Sequence, residues 1–210
     1  MKIYICGDST AATFNSSETP IVGWGQLLAN HLPAGIRVDN HAMAGRSTRT
    51  FLQEGRRQAL DTLIAPGDLV VVQFAHNDEG NKPERHTEPR GNYTENLRAF
   101  IRFIRERSGV PVLMSSICIN LWENGAFLPS HEPYRAAMED LARAEHVSFI
   151  DLYADTVSIV TSLGEEASRG LYREDNTHTL QAGADLFAAA AARRLSELSA
   201  GQSGSDLHAD

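Results

Sequence analysis

The chain has 210 residues, 42% of them hydrophobic and 22% charged, the size and composition of a single soluble α/β domain. Its formal net charge of -8 argues against a nucleic-acid partner and against an anionic membrane surface, since both require a basic face. No apolar run approaches the roughly 18 to 20 residues needed to span a bilayer.

The first apolar run, Ile3-Tyr4-Ile5, has the length of a strand and leads straight into Cys6-Gly7-Asp8-Ser9-Thr10. No secretion leader is read ahead of it, so a cytoplasmic home is expected. Further β-branched, apolar runs follow at 36–38, 69–74, 110–117 and 147–152. The run Leu69-Val70-Val71-Val72-Gln73-Phe74 is almost continuously apolar, as in a strand covered on both faces. Amphipathic stretches separate the runs. Tyr93, Leu97, Phe100, Ile101 and Ile104 form one helical stripe; Tyr134, Ala137, Met138 and Leu141 form another. A third joins Leu180, Phe187, Ala191, Leu195 and Leu198, and Pro66-Gly67-Asp68 and Ser108-Gly109 read as helix stops.

Strands alternating with helices predict βαβ units, hence a three-layer α/β/α fold on a five-stranded parallel sheet of order 2-1-3-4-5. One domain is expected over 1–198. The small polar residues of 199–210 read as a disordered tail. Two long loops, Glu79 to Gly91 and Asn120 to Pro129, fall where substrate contacts usually lie. Cys6 and Cys118 are expected as reduced thiols, because the strand order puts one strand between them, about 9 to 10 Å, beyond disulfide reach.

In the 2-1-3 order the carboxyl ends of the first three strands are neighbours at the point where strand order reverses. Loop one then offers Ser9, loop two Ala44-Gly45-Arg46-Ser47, and loop three His76-Asn77-Asp78. Acyl transfer through a Ser9 nucleophile needs donors aimed at the tetrahedral oxygen, and Ser9 N–H, Gly45 N–H and the Asn77 side chain are the candidates. Asp175-Asn176-Thr177-His178 supplies a base: residues three apart in a turn share a face, so Asp175 can hold the His178 ring while its other nitrogen takes the Ser9 proton. Each motif alone also has an ordinary structural reading. Gly7-Asp8-Ser9 reads as a turn, Asn77-Asp78 as an Asx turn, and Asp175-x-x-His178 as a helix cap. Gly23-Trp24-Gly25-Gln26 lacks the third glycine of a dinucleotide loop, so Trp24 reads as core, and Arg46 and Ser47 as groups at a helix start.

Taken together, Gly7-Asp8-Ser9-Thr10, Gly45, Asn77-Asp78 and Asp175-x-x-His178 resemble, in order and spacing, the blocks of the SGNH (GDSL-like) hydrolase superfamily. Within it, Gly23-Trp24-Gly25-Gln26, Ala44-Gly45-Arg46-Ser47 and Gln73-Phe74-Ala75-His76-Asn77-Asp78 are most similar to rhamnogalacturonan acetylesterases and related carbohydrate esterases. The resemblance implies an acetylesterase needing no metal or cofactor, with Ser9, His178 and Asp175 as nucleophile, base and partner. It further implies Ser9, Gly45 and Asn77 as the oxyanion hole. Ala75 departs from the pattern, which usually has Gly there, so a slightly different course of loop three is expected. Without a leader, imported acetylated oligosaccharides suit the chain better than polymeric pectin.

His76 is a candidate for touching substrate, with a structural hydrogen bond as its other reading. Trp122 is a candidate for stacking on a sugar face. His86, His131 and His146 show no metal-ligand spacing. The expected partner is a small-molecule or oligosaccharide acetyl ester, and oligomeric state is left open. Two other readings remain: an arylesterase, thioesterase or lysophospholipase of the same superfamily, and a non-enzymatic flavodoxin-like binding module.

Overall fold

The computed structural model describes residues 1–205, with side chains to 198. Strands β1 (Lys2–Gly7), β2 (Arg37–Asn40), β3 (Leu69–Gln73), β4 (Val110–Met114) and β7 (Ser148–Ile150) form one sheet in the order β2-β1-β3-β4-β7. Every pairing in it is parallel, so the carboxyl ends of all five strands share one edge. This is the expected 2-1-3-4-5 order, and β1 and β3 sit at its centre.

Strand alternation sorts the core into two layers. Ile3 and Ile5 of β1, with Val71 and Val112, point to one face and pack with α1 (Trp24–Leu27), α6 (Leu152–Ser168) and α7 (Gln181–Ser205) through Trp24, Tyr153, Val160 and Phe187. Tyr4 and Cys6, with Val70, Val72 and Leu113, point to the other. There they meet α2 (Thr48–Gln53), α4 (Thr94–Arg105) and α5 (Glu132–Glu145) through Phe51, Phe100, Ile101 and Met138. The helical stripes read from sequence are these buried faces: Leu97, Phe100, Ile101 and Ile104 on α4, and Tyr134, Ala137, Met138 and Leu141 on α5. Cys6 and Cys118 are both buried and free, as expected. Among the described residues no helix is long and apolar enough to cross a membrane.

The structure departs from the sequence reading at element ends. The run 110–117 is strand only to Met114; the Ser115 N–H still bonds the Ile150 carbonyl of β7 (3.0 Å), and beyond it the chain leaves the sheet. The last run gives a three-residue strand, since Asp151 breaks it by accepting the Ala154 N–H and so capping α6. The loop from Asn120 holds a small antiparallel hairpin of β5 (Trp122–Glu123) and β6 (Ala126–Phe127), turned through Asn124 and Gly125 at positive φ. Helix α7 is described through Ser205, which carries it into the stretch read as a tail; residues 206–210 lie outside the described residues.

One buried carboxylate ties two edge loops together. Asp78, on the short helix α3 (His76–Glu79), accepts from Thr48 N (3.0 Å) and Thr48 Oγ1 (2.5 Å) at the start of α2, and from Thr87 Oγ1 (2.8 Å). The sequence reading of an Asx turn at Asn77-Asp78 therefore understates its reach. Burial pushes the Asp78 carboxyl up to about 7, against the downward pull of the Thr48 and Thr87 donors. An acid raised above its unfolded value stabilises the fold fully below that unfolded value, and the contribution is lost as pH climbs through the folded one. Relative to Asp78→Asn, wild-type stability should therefore drop by about 2–3 kcal/mol between about pH 5 and pH 8, as read by urea unfolding. A difference between the two proteins that stays constant with pH would contradict this.

Candidate active site

Ser9 follows β1 directly. The carboxylate of Asp8 accepts from Thr10 N (2.9 Å) and Thr10 Oγ1 (2.7 Å), closing a tight turn that holds Ser9 between them. Asp8 is fully buried, and burial raises its pKa despite these bonds; its Oδ2 has no hydrogen-bond partner. Behind the turn, Trp24 N donates to Thr10 O (2.9 Å), and the glycines beside it explain themselves. A Cβ on Gly23 would stand 2.2 Å from Ala12 O, and one on Gly25 2.5 Å from Ala11 O. Only glycine lets α1 approach the serine turn this closely. Trp24 itself is wholly buried, as expected, with its indole N–H on Gln73 Oε1 (3.3 Å).

The histidine arrives from the far end of the chain. The segment before α7 folds into a turn with Asn176 at φ 57°, and two bonds pin it beside α1: Val22 N to Thr179 O (3.0 Å) and Thr179 Oγ1 to Val22 O (2.5 Å). Asp175 Oδ1 accepts from the backbone N–H groups of Thr177 (3.0 Å) and His178 (2.9 Å), while Oδ2 meets His178 Nδ1 at 2.9 Å. A carboxylate only accepts, so neutral His178 carries its proton on Nδ1 and leaves Nε2 as an acceptor. Ser9 Oγ lies 3.0 Å from that Nε2. Burial pushes Asp175 up, but the backbone and ring donors outweigh it and hold its pKa below the usual carboxylate range. An ionised carboxylate, an oriented imidazole and a nearly buried hydroxyl in series can pass a proton from serine to histidine.

Loops two and three lie alongside. Met43 N donates to Gly7 O (2.9 Å), which draws loop two against the end of β1. Gly45 has φ +77°, a conformation that favours glycine, and Ser47 caps α2 by bonding Thr50 N in a reciprocal capping box. Asn77 Nδ2 donates to Arg46 O (3.1 Å), joining the two loops next to Gly45. Ala75 has φ −177°, extended backbone open to any residue, and its methyl sits in the second core layer. Alanine in place of the usual glycine is thus accommodated without demand on the backbone.

His76 and Trp122 each have structural partners. His76 Nδ1 meets His131 Nε2 at 2.9 Å, and His131 Nδ1 in turn bonds the Glu79 carboxylate. Burial, then the neighbouring His131 and His178, keep His76 well below the usual histidine pKa and therefore neutral. His131, read from sequence as one of several scattered histidines, is instead a buried link in this chain. Its signal was invisible in spacing because the partners are 52 and 55 residues away. Trp122 is half-buried, edge-on to Phe127, with its N–H on Asn120 Oδ1 (2.7 Å). Asn120 N donates to Asn176 O (2.8 Å), which ties the Trp122 hairpin to the turn that carries His178. Among the described residues, no group of three or more His, Cys, Asp or Glu side chains is arranged to hold a metal ion.

The profile of the GDSL-like lipase/acylhydrolase family matches residues 5–186. A Bacillus subtilis protein named probable rhamnogalacturonan acetylesterase YesY is 41% identical over 93% of this chain and 93% of its own. Rhamnogalacturonan acetylesterase RhgT of the same organism is 34% identical over 94% of this chain and 90% of its own. Among solved structures, the crystal structure of Bacillus subtilis YxiM superposes with a TM-score of 0.83 at 28% identity, covering 94% of this chain and 56% of that one. The Geobacillus stearothermophilus acetylxylan esterase Axe2 shares the fold, with a TM-score of 0.69 at 19% identity over 91% of this chain and 92% of that one. A profile spanning most of the chain, and relatives that match it nearly end to end, show that this protein belongs to the GDSL-like lipase/acylhydrolase family.

Proposed function

We propose that the protein is a serine esterase that removes acetyl groups from carbohydrates, with Ser9 as nucleophile, His178 as base and Asp175 as its partner. The observation that carries this reading is the unbroken chain from Ser9 Oγ to His178 Nε2 (3.0 Å) and from His178 Nδ1 to Asp175 (2.9 Å). Ser9 attacks the acetyl carbonyl as His178 accepts its proton. The tetrahedral oxygen is met by the N–H groups of Ser9 and Gly45 and by the Asn77 amide. His178 returns the proton to the departing sugar hydroxyl, and water then releases acetate from the acetyl-enzyme with His178 again as base. No cofactor enters these steps.

The acetylated sugar is supported by the relatives named as rhamnogalacturonan acetylesterases, which match over nearly the whole chain. A pectin-derived, rhamnogalacturonan-type oligosaccharide is the substrate class we favour, with His76 and Trp122 as its contacts. The hairpin's bond to Asn176 supports Trp122 in this part, since it fixes the indole relative to the His178 turn. The two buried, free thiols support a cytoplasmic home.

Acetate release from a panel of acetylated oligosaccharides should be abolished by Ser9→Ala with the circular dichroism unchanged. In an acyl-length series on a chromogenic ester, acetate should be turned over far faster than butyrate. Full activity in Ser9→Ala would overturn the nucleophile, and a preference for long acyl chains would overturn the substrate class.

A further inference from the structure

We propose that Arg85 is a positioning residue for the oxyanion donors, fixing the Asn77 amide and bracing Gly45. The proposal rests on the esterase reading above. Arg85 lies in the long loop after α3, anchored there by its own N–H on Lys82 O (2.9 Å). Its Nη1 donates to Asn77 Oδ1 (3.2 Å), while Asn77 Nδ2 donates to Arg46 O (3.1 Å). A guanidinium only donates and a carbonyl only accepts, so the two partners allow the amide a single orientation. Of the two Nδ2 hydrogens, one is spent on Arg46 and the other is left for the tetrahedral oxygen. Removing Arg85 deprives Oδ1 of its donor and leaves the amide held from one side.

The same guanidinium packs against the second donor loop. A Cβ built on Gly45 would lie 3.3 Å from both Nη1 and Nη2. One cation therefore bridges the backbone that presents Gly45 N–H and the side chain that presents Nδ2–H. Its charge is also little neutralised at close range. Among the described residues its ion pair is with Glu84 at 3.9 Å, a carboxylate that is itself 64% exposed. A positive group next to both donors, without a tight counter-ion, favours negative charge developing between them.

The test is a kinetic comparison on a neutral chromogenic acetate ester, with Ser9→Ala run alongside. Arg85→Ala should lower kcat by about 10- to 100-fold with KM within about twofold, a smaller loss than the 10²–10³ typical of deleting a donor outright. In an Asn77→Ala background the same change should cost clearly less than in wild type, about two- to fivefold, because only its contact with the Gly45 loop and its charge remain to be lost. Added guanidinium ion should restore part of the Arg85→Ala rate and none of the Ser9→Ala rate. An Arg85→Ala kcat within twofold of wild type, losses that multiply in the double variant, or a rise in KM alone would each overturn the proposal. Retained turnover in Ser9→Ala would instead overturn the esterase reading beneath it.

Discussion

The hydrogen bond between Ser9 and His178 joins residues 169 positions apart, and most of the architecture exists on either side of it. A hydroxyl and an imidazole in register to 3.0 Å require two turns from opposite ends of the chain to be held against one another. The parallel sheet supplies the first, because β1 is central and its carboxyl end opens onto the edge where all the loops gather. The segment before α1 supplies the second. It bonds the serine turn through Trp24 and Thr10 and the histidine turn through Val22 and Thr179, so one stretch of backbone is common to both. Gly23 and Gly25 matter for the same reason. They admit this stretch at distances where any side chain would collide with Ala11 or Ala12.

Electrostatics around the pair are divided by environment. Asp175, reached by three donors, is held ionised, and Asp8 and Asp78, both deeply buried, are pushed upward by desolvation. His76 is held neutral by burial and by its histidine neighbours. The result is a fixed negative charge on the Nδ1 side of His178, opposite the Nε2 that faces Ser9, where it would stabilise an imidazolium. The Arg85 cation stands instead beside Gly45 and Asn77.

Much of this was legible in the sequence, for reasons that differ by residue. The strand order followed from alternation of apolar runs and helical stripes, since a run such as Leu69–Phe74 can only be buried on both sides. The turn at Ser9 and the pairing of Asp175 with His178 were legible from short-range rules, a turn after a strand and a carboxylate three residues before a ring, whereas reading them as one site needed the separate blocks taken together. Arg85, His131 and Glu79 were not, because nothing local marks them. Arg85 reads as one more charge in a polar loop until folding brings it against Gly45 and Asn77. The β5–β6 hairpin was missed because its strands have two residues each, too short to show a period. The ends of β4 and β7 were overrun because apolar residues such as Ile117 and Leu152 lie beyond them, buried in the core although outside the sheet.

In the proposed reaction Ser9 is an activated nucleophile because His178 and Asp175 act on it in series. Covalent labelling with a fluorophosphonate, read by intact mass and peptide mapping, tests it most directly. One adduct per chain is expected, on the peptide that carries Ser9, with the labelling rate collapsing in His178→Ala. No adduct, an adduct on another residue, or a rate indifferent to His178 would contradict it.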